Sequence, residues 1–161
     1  MAIKYARAIG GNWSTDATWS TISGGAADTT KPVNGDDAVL DANSGNVVID
    51  VASVCTSIDC TGFTGTLTQE DDLFVYGSTT FVAGMTFTYT AGRWVPFSTG
   101  TLDSGGKTFG EFIFPTGSTI TLASDFNCTD MSINNDITFS GAFDIYCTSL
   151  TLGGAAPFTT T

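Results

Sequence analysis

From Asp36 onward, apolar residues come in groups of three or four positions, set among Thr and Ser and closed by Gly, Asn or Asp. Such groups predict short strands at 38–40, 47–49, 57–60, 65–68, 73–76, 86–89, 111–114, 119–122, 131–133, 137–139 and 149–152. No window carries the 3.6-residue apolar spacing that a helix of useful length requires. Two of these stretches repeat one phrase. Asp125-Phe126-Asn127-Cys128-Thr129-Asp130-Met131-Ser132-Ile133 is followed 19 residues later (144 − 125) by Asp144-Ile145-Tyr146-Cys147-Thr148-Ser149-Leu150-Thr151-Leu152. One step further back the frame falls on 106–114, with Phe109 at the cysteine position and Phe114 at the last apolar one.

A period near 20 in an all-β pattern is the mark of stacked coils, in which equivalent side chains lie on the coil below. The expected fold is therefore all-β, a parallel β-helix or β-solenoid with coils of about 19–20 residues. A β-sandwich or jelly roll is the alternative, since short strands at roughly 8–12-residue intervals also suit it. Residues 1–35 break the pattern with Gly10-Gly11, Gly24-Gly25, Lys31-Pro32 and two Trp-bearing fragments. They read as an N-terminal cap or docking segment, and 36–161 as the solenoid body.

Charge narrows the partners. The 161 residues carry a formal charge of −11, and the basic residues are only Lys4, Arg7, Lys31, Arg93 and Lys107. That set cannot neutralise a run of phosphates or bind an anionic bilayer, so neither nucleic acid nor membrane is expected as a partner. The N-terminal residues lack the apolar core of a signal peptide, and no apolar run reaches spanning length, so synthesis and assembly in a cytosol are expected.

Chemistry is constrained as well. The chain has no histidine, which removes Ser-His-Asp and Cys-His catalysis and histidine-based metal sites. Cys55, Cys60, Cys128 and Cys147 form no CxxC pair. Cys128 and Cys147, at one phase of adjacent coils, are expected to stack as buried free thiols. Carboxylates remain, in Asp36-Asp37 and Glu70-Asp71-Asp72. Neighbours on one strand point to opposite faces, so solvated coil corners are the expectation. Calcium held by Asp36, Asp37, Asp71 and Asp72, or a glycosidase pair, are the alternatives. Trp13, Trp19 and Trp94 are the candidate ligand-binding residues, as platforms on which sugars stack. Arg93-Trp94, after Gly92, reads as a corner loop.

The stretches Met1-Ala2-Ile3-Lys4-Tyr5-Ala6, Gly11-Asn12-Trp13-Ser14, Ala17-Thr18-Trp19, Gly35-Asp36-Asp37-Ala38-Val39-Leu40-Asp41 and Val47-Val48-Ile49-Asp50 together resemble the N-terminal region of tailed-phage structural proteins. Head-fibre, decoration and tail-fibre proteins are of this kind, and the same cadence opens bacterial β-helical surface proteins. The resemblance covers about the first 50 residues and implies a structural role on a β-solenoid body. It transfers no catalytic residue, and the chain is much shorter than tailspike depolymerases.

The expected function is that of a non-enzymatic virion protein without cofactor, a capsid decoration or fibre component assembled in the host cytoplasm. Its partners would be copies of itself, as a trimer or filament, and other virion proteins. A carbohydrate-binding β-helix module or depolymerase fragment, and a self-assembling filament at the cell surface, are the rivals. The C-terminal coil should form the assembly interface through Leu150, Leu152, Pro157 and Phe158. It would do so by stacking on a neighbour's N-terminal coil or by trimerising around Phe158.

Overall fold

The computed structural model describes residues 1–28, 30–115, 117–134 and 137–153, together with a strand at 159–160. Pro157 and Phe158 lie outside the described residues. The first coil holds β1 (Ile3–Ala6) and β2 (Gly11–Asn12), then a 3-10 turn at Asp16–Thr18 and β3 (Trp19–Ser20). Three coils of three strands follow: β4 (Asp37–Val39), β5 (Val47–Ile49) and β6 (Ser53–Cys55); β7 (Ile58–Asp59), β8 (Thr66–Gln69) and β9 (Leu73–Val75); β10 (Thr79–Thr80), β11 (Thr86–Tyr89) and β12 (Arg93–Pro96). The next coils have two strands each: β13 (Gly100–Asp103) and β14 (Thr108–Phe114); β15 (Thr119–Leu122) and β16 (Phe126–Ile133); β17 (Thr138–Ser140) and β18 (Ile145–Leu152), before β19 (Thr159–Thr160).

The strands stack into three walls. The first runs β3-β1-β4-β7-β10-β13-β15-β17-β19, the second β2-β5-β8-β11, and the third β6-β9-β12-β14-β16-β18. Among the described residues every pairing is parallel except β1 with β3. The chain is thus a β-solenoid of about six turns, and the sandwich alternative is set aside. Because β1 pairs in parallel with β4, and β2 with β5, the parallel stack already includes residues before 36.

The 19-residue phrase reports register directly. Phe109 pairs with Cys128 and Cys128 with Cys147, while Phe114, Ile133 and Leu152 form a second row. In each row one side chain lies on the next, which is why the phase recurs in the sequence. From the fourth coil on, the core holds a column of aromatic rings: Phe81, Trp94, Phe109, Phe112, Phe114 and Phe126 are all buried. Phe112 and Phe126 meet edge-on at 4.7 Å, an arrangement that suits the ring quadrupoles.

The section changes from three walls to two after β11. The ring of Tyr89, the last residue of β11, lies on the backbone of Gly110, where a Cβ would fall 2.1 Å from Tyr89 Cζ. The ring takes the place of a further second-wall strand, and the third-wall strands lengthen across the old corner. Within β16 the inward–outward alternation breaks at Thr129-Asp130, where both side chains are exposed. That break marks the bend.

Corners are tight enough to demand glycine. Gly92 has φ +86°, and a Cβ there would sit 2.2 Å from the Asp71 carbonyl carbon in the coil before it. Gly106 has φ +74° with nothing within 4 Å of the equivalent point. Gly106→Ala should therefore lose only left-handed backbone strain, about 1–2 kcal/mol. Gly92→Ala should lose that and a further ~1–3 kcal/mol of overpacking. Urea midpoints of the two variants check this, and equal losses would mean that the stacked corner yields freely.

Candidate functional site

In the first coil several backbone groups that face away from the second coil are satisfied from within the chain. β3 lies antiparallel along β1. The outward carbonyl of Asn12 on β2 accepts from Thr15 N–H at 3.1 Å and from Thr18 Oγ1 at 2.8 Å. Trp13 and Trp19 close the interior, T-shaped with centroids 4.7 Å apart, and Trp19 Nε1 donates to the Trp13 carbonyl at 3.0 Å. Asp50 ties this segment to the second coil, accepting from Ser14 N–H at 3.0 Å and Ser14 Oγ at 2.6 Å. Burial works to raise the Asp50 pKa, but the Ser14 hydrogen bonds outweigh it and hold the carboxyl below its usual range. Lys4 is buried, pairs with Asp28 and donates to Thr30 Oγ1 at 2.6 Å, fastening the loop that returns to the first wall.

On the third wall burial falls from β16 to β18. In β16 the inward side chains Phe126, Cys128, Met131 and Ile133 are buried. Their counterparts one coil on, in β18, are Ile145, Cys147, Leu150 and Leu152. Ile145 and Cys147 are half-buried, while Leu150 is 52% and Leu152 62% exposed. These residues keep the inward phase of β16 at lower burial. A depression of ≈270 Å³ lined by Thr108, Asn127, Cys128, Tyr146, Cys147 and Thr148 lies on the same last coils.

The tryptophans are a correction. Trp13, Trp19 and Trp94 are fully buried, so none offers a ring face to a sugar. Trp13 and Trp19 do not share a strand; the 3-10 turn between them sends both rings inward. Trp94 is not in a corner loop either. It is an inward residue of β12, with Phe81, Phe87 and Phe109 at 5.3, 6.0 and 5.2 Å. Burying a large ring in a narrow coil gains more than displaying it.

The calcium candidates are likewise not brought together. Asp36 and Asp37 belong to the first wall, where Asp36 Oδ1 accepts from Ala2 N–H at 2.9 Å and Asp37 Oδ1 from Ser57 Oγ at 2.5 Å. Asp71 and Asp72 precede β9 on the third wall. Asp71 Oδ1 accepts from Asp72 N–H at 2.7 Å, and Asp72 pairs with Arg93. That pairing holds the Asp72 carboxyl below its usual range, chiefly through the Arg93 side-chain hydrogen bonds. Among the described residues no three carboxylates or thiols converge on a point that could hold a metal ion.

Cys128 and Cys147 are stacked in register and free, as expected from the phrase, though only Cys128 is buried. Burial pushes the Cys55 and Cys60 thiols far up, and lifts Cys128 to about 12, with Cys147 and Asp130 adding to it. The thiolate is the nucleophile. In the native protein a thiol reagent should therefore label Cys147 first and leave the other three unmodified until the chain is unfolded. Mass spectrometry of the labelled protein checks the order, and early labelling at Cys128 would mean that the last coils open readily.

One aromatic surface escaped the sequence reading. On the outer face of the third wall, Val54, Phe74 and Val95 stand in register, and Ile113 continues the row because Phe112 pairs with Trp94. Tyr76 and Phe97 stack beside it at 5.2 Å with an interplanar angle of 13°, both more than a third exposed. The signal was present. Leu73-Phe74-Val75-Tyr76 is apolar at four consecutive positions, so one strand must be apolar on both faces.

No protein-family model matches the chain, and neither a curated protein nor a solved structure matches it significantly. The functional reading therefore rests on the residues and their geometry. The surface they leave is the outer stripe around Tyr76 and Phe97.

Proposed function

We propose that the chain is a non-enzymatic structural module, a stiff solenoid segment whose role is shape rather than chemistry. The observation that carries this reading is the in-register stack of parallel coils around a buried aromatic column, with the three tryptophans spent on packing and Asp36, Asp37 and Asp72 on hydrogen bonds and an ion pair within the chain. The proposed setting is a virion, as capsid decoration or fibre component, and the resemblance of residues 1–50 to phage structural proteins supports it.

A carbohydrate-binding module is the second reading, favoured by the exposed Tyr76–Phe97 pair rather than by the tryptophans. A glycan array probed with the wild-type chain and with Tyr76→Ser separates the two. A structural module shows no selective sugar binding. Selective binding that disappears in Tyr76→Ser would replace the structural reading with the carbohydrate one.

A further inference from the structure

The outer face of the third wall is a grid, because parallel coils in register line up equivalent side chains. One column runs Val54, Phe74, Val95 and Ile113, one residue per coil. Two residues further along each strand, a second column runs Thr56, Tyr76, Phe97 and Pro115. No charge interrupts these two columns over four coils. Two residues before the first column stands a charged one: Ala52, Asp72, Arg93, Glu111 and Asp130. Parallel sheets are ordinarily covered on both faces, and a contiguous exposed apolar patch marks a place of contact.

We infer that this face packs against the same face of a second copy, about a two-fold axis that runs along the strands between the Phe74 and Val95 coils. The inference rests on the structural-module reading and names its partner. Such an axis keeps each column facing its own column and reverses the order of the coils. Phe74 then faces Val95 of the second copy, Val54 faces Ile113, and Tyr76 faces Phe97. Sheets packed face to face lie about 10 Å apart with strand directions within about 30°, so these side chains meet in one layer.

Charge fixes the axis and the choice of partner. With the axis in this place, Asp72 faces Arg93 of the second copy, Arg93 faces Asp72, and Glu111 faces the uncharged Ala52. Arg93 already pairs with Asp72 in its own chain and is 46% exposed, so it has donors to spare for the second carboxylate. Two arginines and two aspartates thus alternate along one rim of the contact. Other placements fail. An axis through the Val95 coil sets Arg93 against its own copy, and one between Val95 and Ile113 sets Asp72 against Asp130 and Phe74 against Ser132. The placement that matches the apolar columns is the one that matches the charges, and like charges in contact are what rules out wrong registers. An isologous contact of this kind closes at two chains. The apolar grid measures roughly 20 Å by 15 Å, small against the ~800 Å² per partner of a standard interface. A dissociation constant in the micromolar range or weaker is therefore expected.

Sedimentation equilibrium of the full chain, carried up to about millimolar protein, tests this. The expected species contains two chains and no more. Phe97→Glu should raise the dissociation constant at least about tenfold, since it sets an unpaired carboxylate against the Tyr76 ring. Phe97 is already 41% exposed, so a melting curve at low concentration close to that of the wild type confirms that the variant folds. An equimolar mixture of Phe97→Glu with Tyr76→Lys should recover a mixed dimer, because the two new charges face each other while the native Tyr76 and Phe97 meet at the second site. Thr88→Lys, exposed on the second wall, should neither weaken the wild-type dimer nor rescue Phe97→Glu. A chain monomeric at every concentration, growth past two chains, a dimer indifferent to Phe97→Glu, or a mixture without recovery would each overturn the inference. None of these touches the structural reading, which falls on selective sugar binding instead.

Discussion

Trp94→Ala is expected to lower stability by about 3–5 kcal/mol, the range for truncating a large buried aromatic side chain. Trp94 is fully buried in the middle of the stack, among Phe81, Phe87 and Phe109. Its removal would leave a void bounded by rings on three sides, which stacked coils cannot close without breaking register. The loss is a large share of the ~5–15 kcal/mol that holds an ordinary domain together. Chemical denaturation monitored by far-UV circular dichroism measures it. With Trp13 and Trp19 buried as well, the wild-type tryptophan emission should be blue-shifted and resistant to iodide. Red-shifted, quenchable emission together with a small loss in Trp94→Ala would return these residues to the surface and reopen the sugar-platform reading.

A second substitution separates the well-buried β16 from the less buried β18. Cys128→Asp should be destabilising by about 3–5 kcal/mol, because it buries an unpaired carboxylate between Phe109 and Cys147. Cys147→Asp should cost much less in the isolated chain, since position 147 is only half-buried and water reaches the new charge. The two positions share one phase of one repeated phrase, yet the neighbour above differs. Thermal melts of both variants at low protein concentration check the contrast. Similar losses at both sites would show that the end coil is as well covered as the interior.

That contrast marks where the sequence stops being informative. Register was legible in 106–114, 125–133 and 144–152, because stacked coils repeat a side chain wherever one lies on another. The rows Phe109–Cys128–Cys147 and Phe114–Ile133–Leu152 could be written down before any coordinate. The strands around Leu73, Phe112 and Ile120 were legible for a related reason, since short apolar groups bounded by Gly and Asn have few other conformations. β1 and β2 were not, because the closing segment of the first coil separates them from their partners: Ile3 pairs with Asp37, and Gly11 with Val47. A period near 20 is invisible across such an insertion.

Exposure was the least legible property. Tryptophan is as suited to a binding platform as to a core, and only the 3-10 turn at Asp16–Thr18 and the inward phase of β12 decided for the core. Likewise Phe74 and Tyr76 were read as strand residues, with no means of telling which face of the wall they covered. By itself, then, the chain determined an all-β solenoid, its period, and the vertical partners of its later coils, since those follow from local pattern and from side chains repeating at contact distance. Only the tertiary structure decided how Trp13 and Trp19 fold into the first coil, where three walls become two, and which aromatic residues face outward. Those properties depend on what lies above and below each coil, and no single coil encodes that.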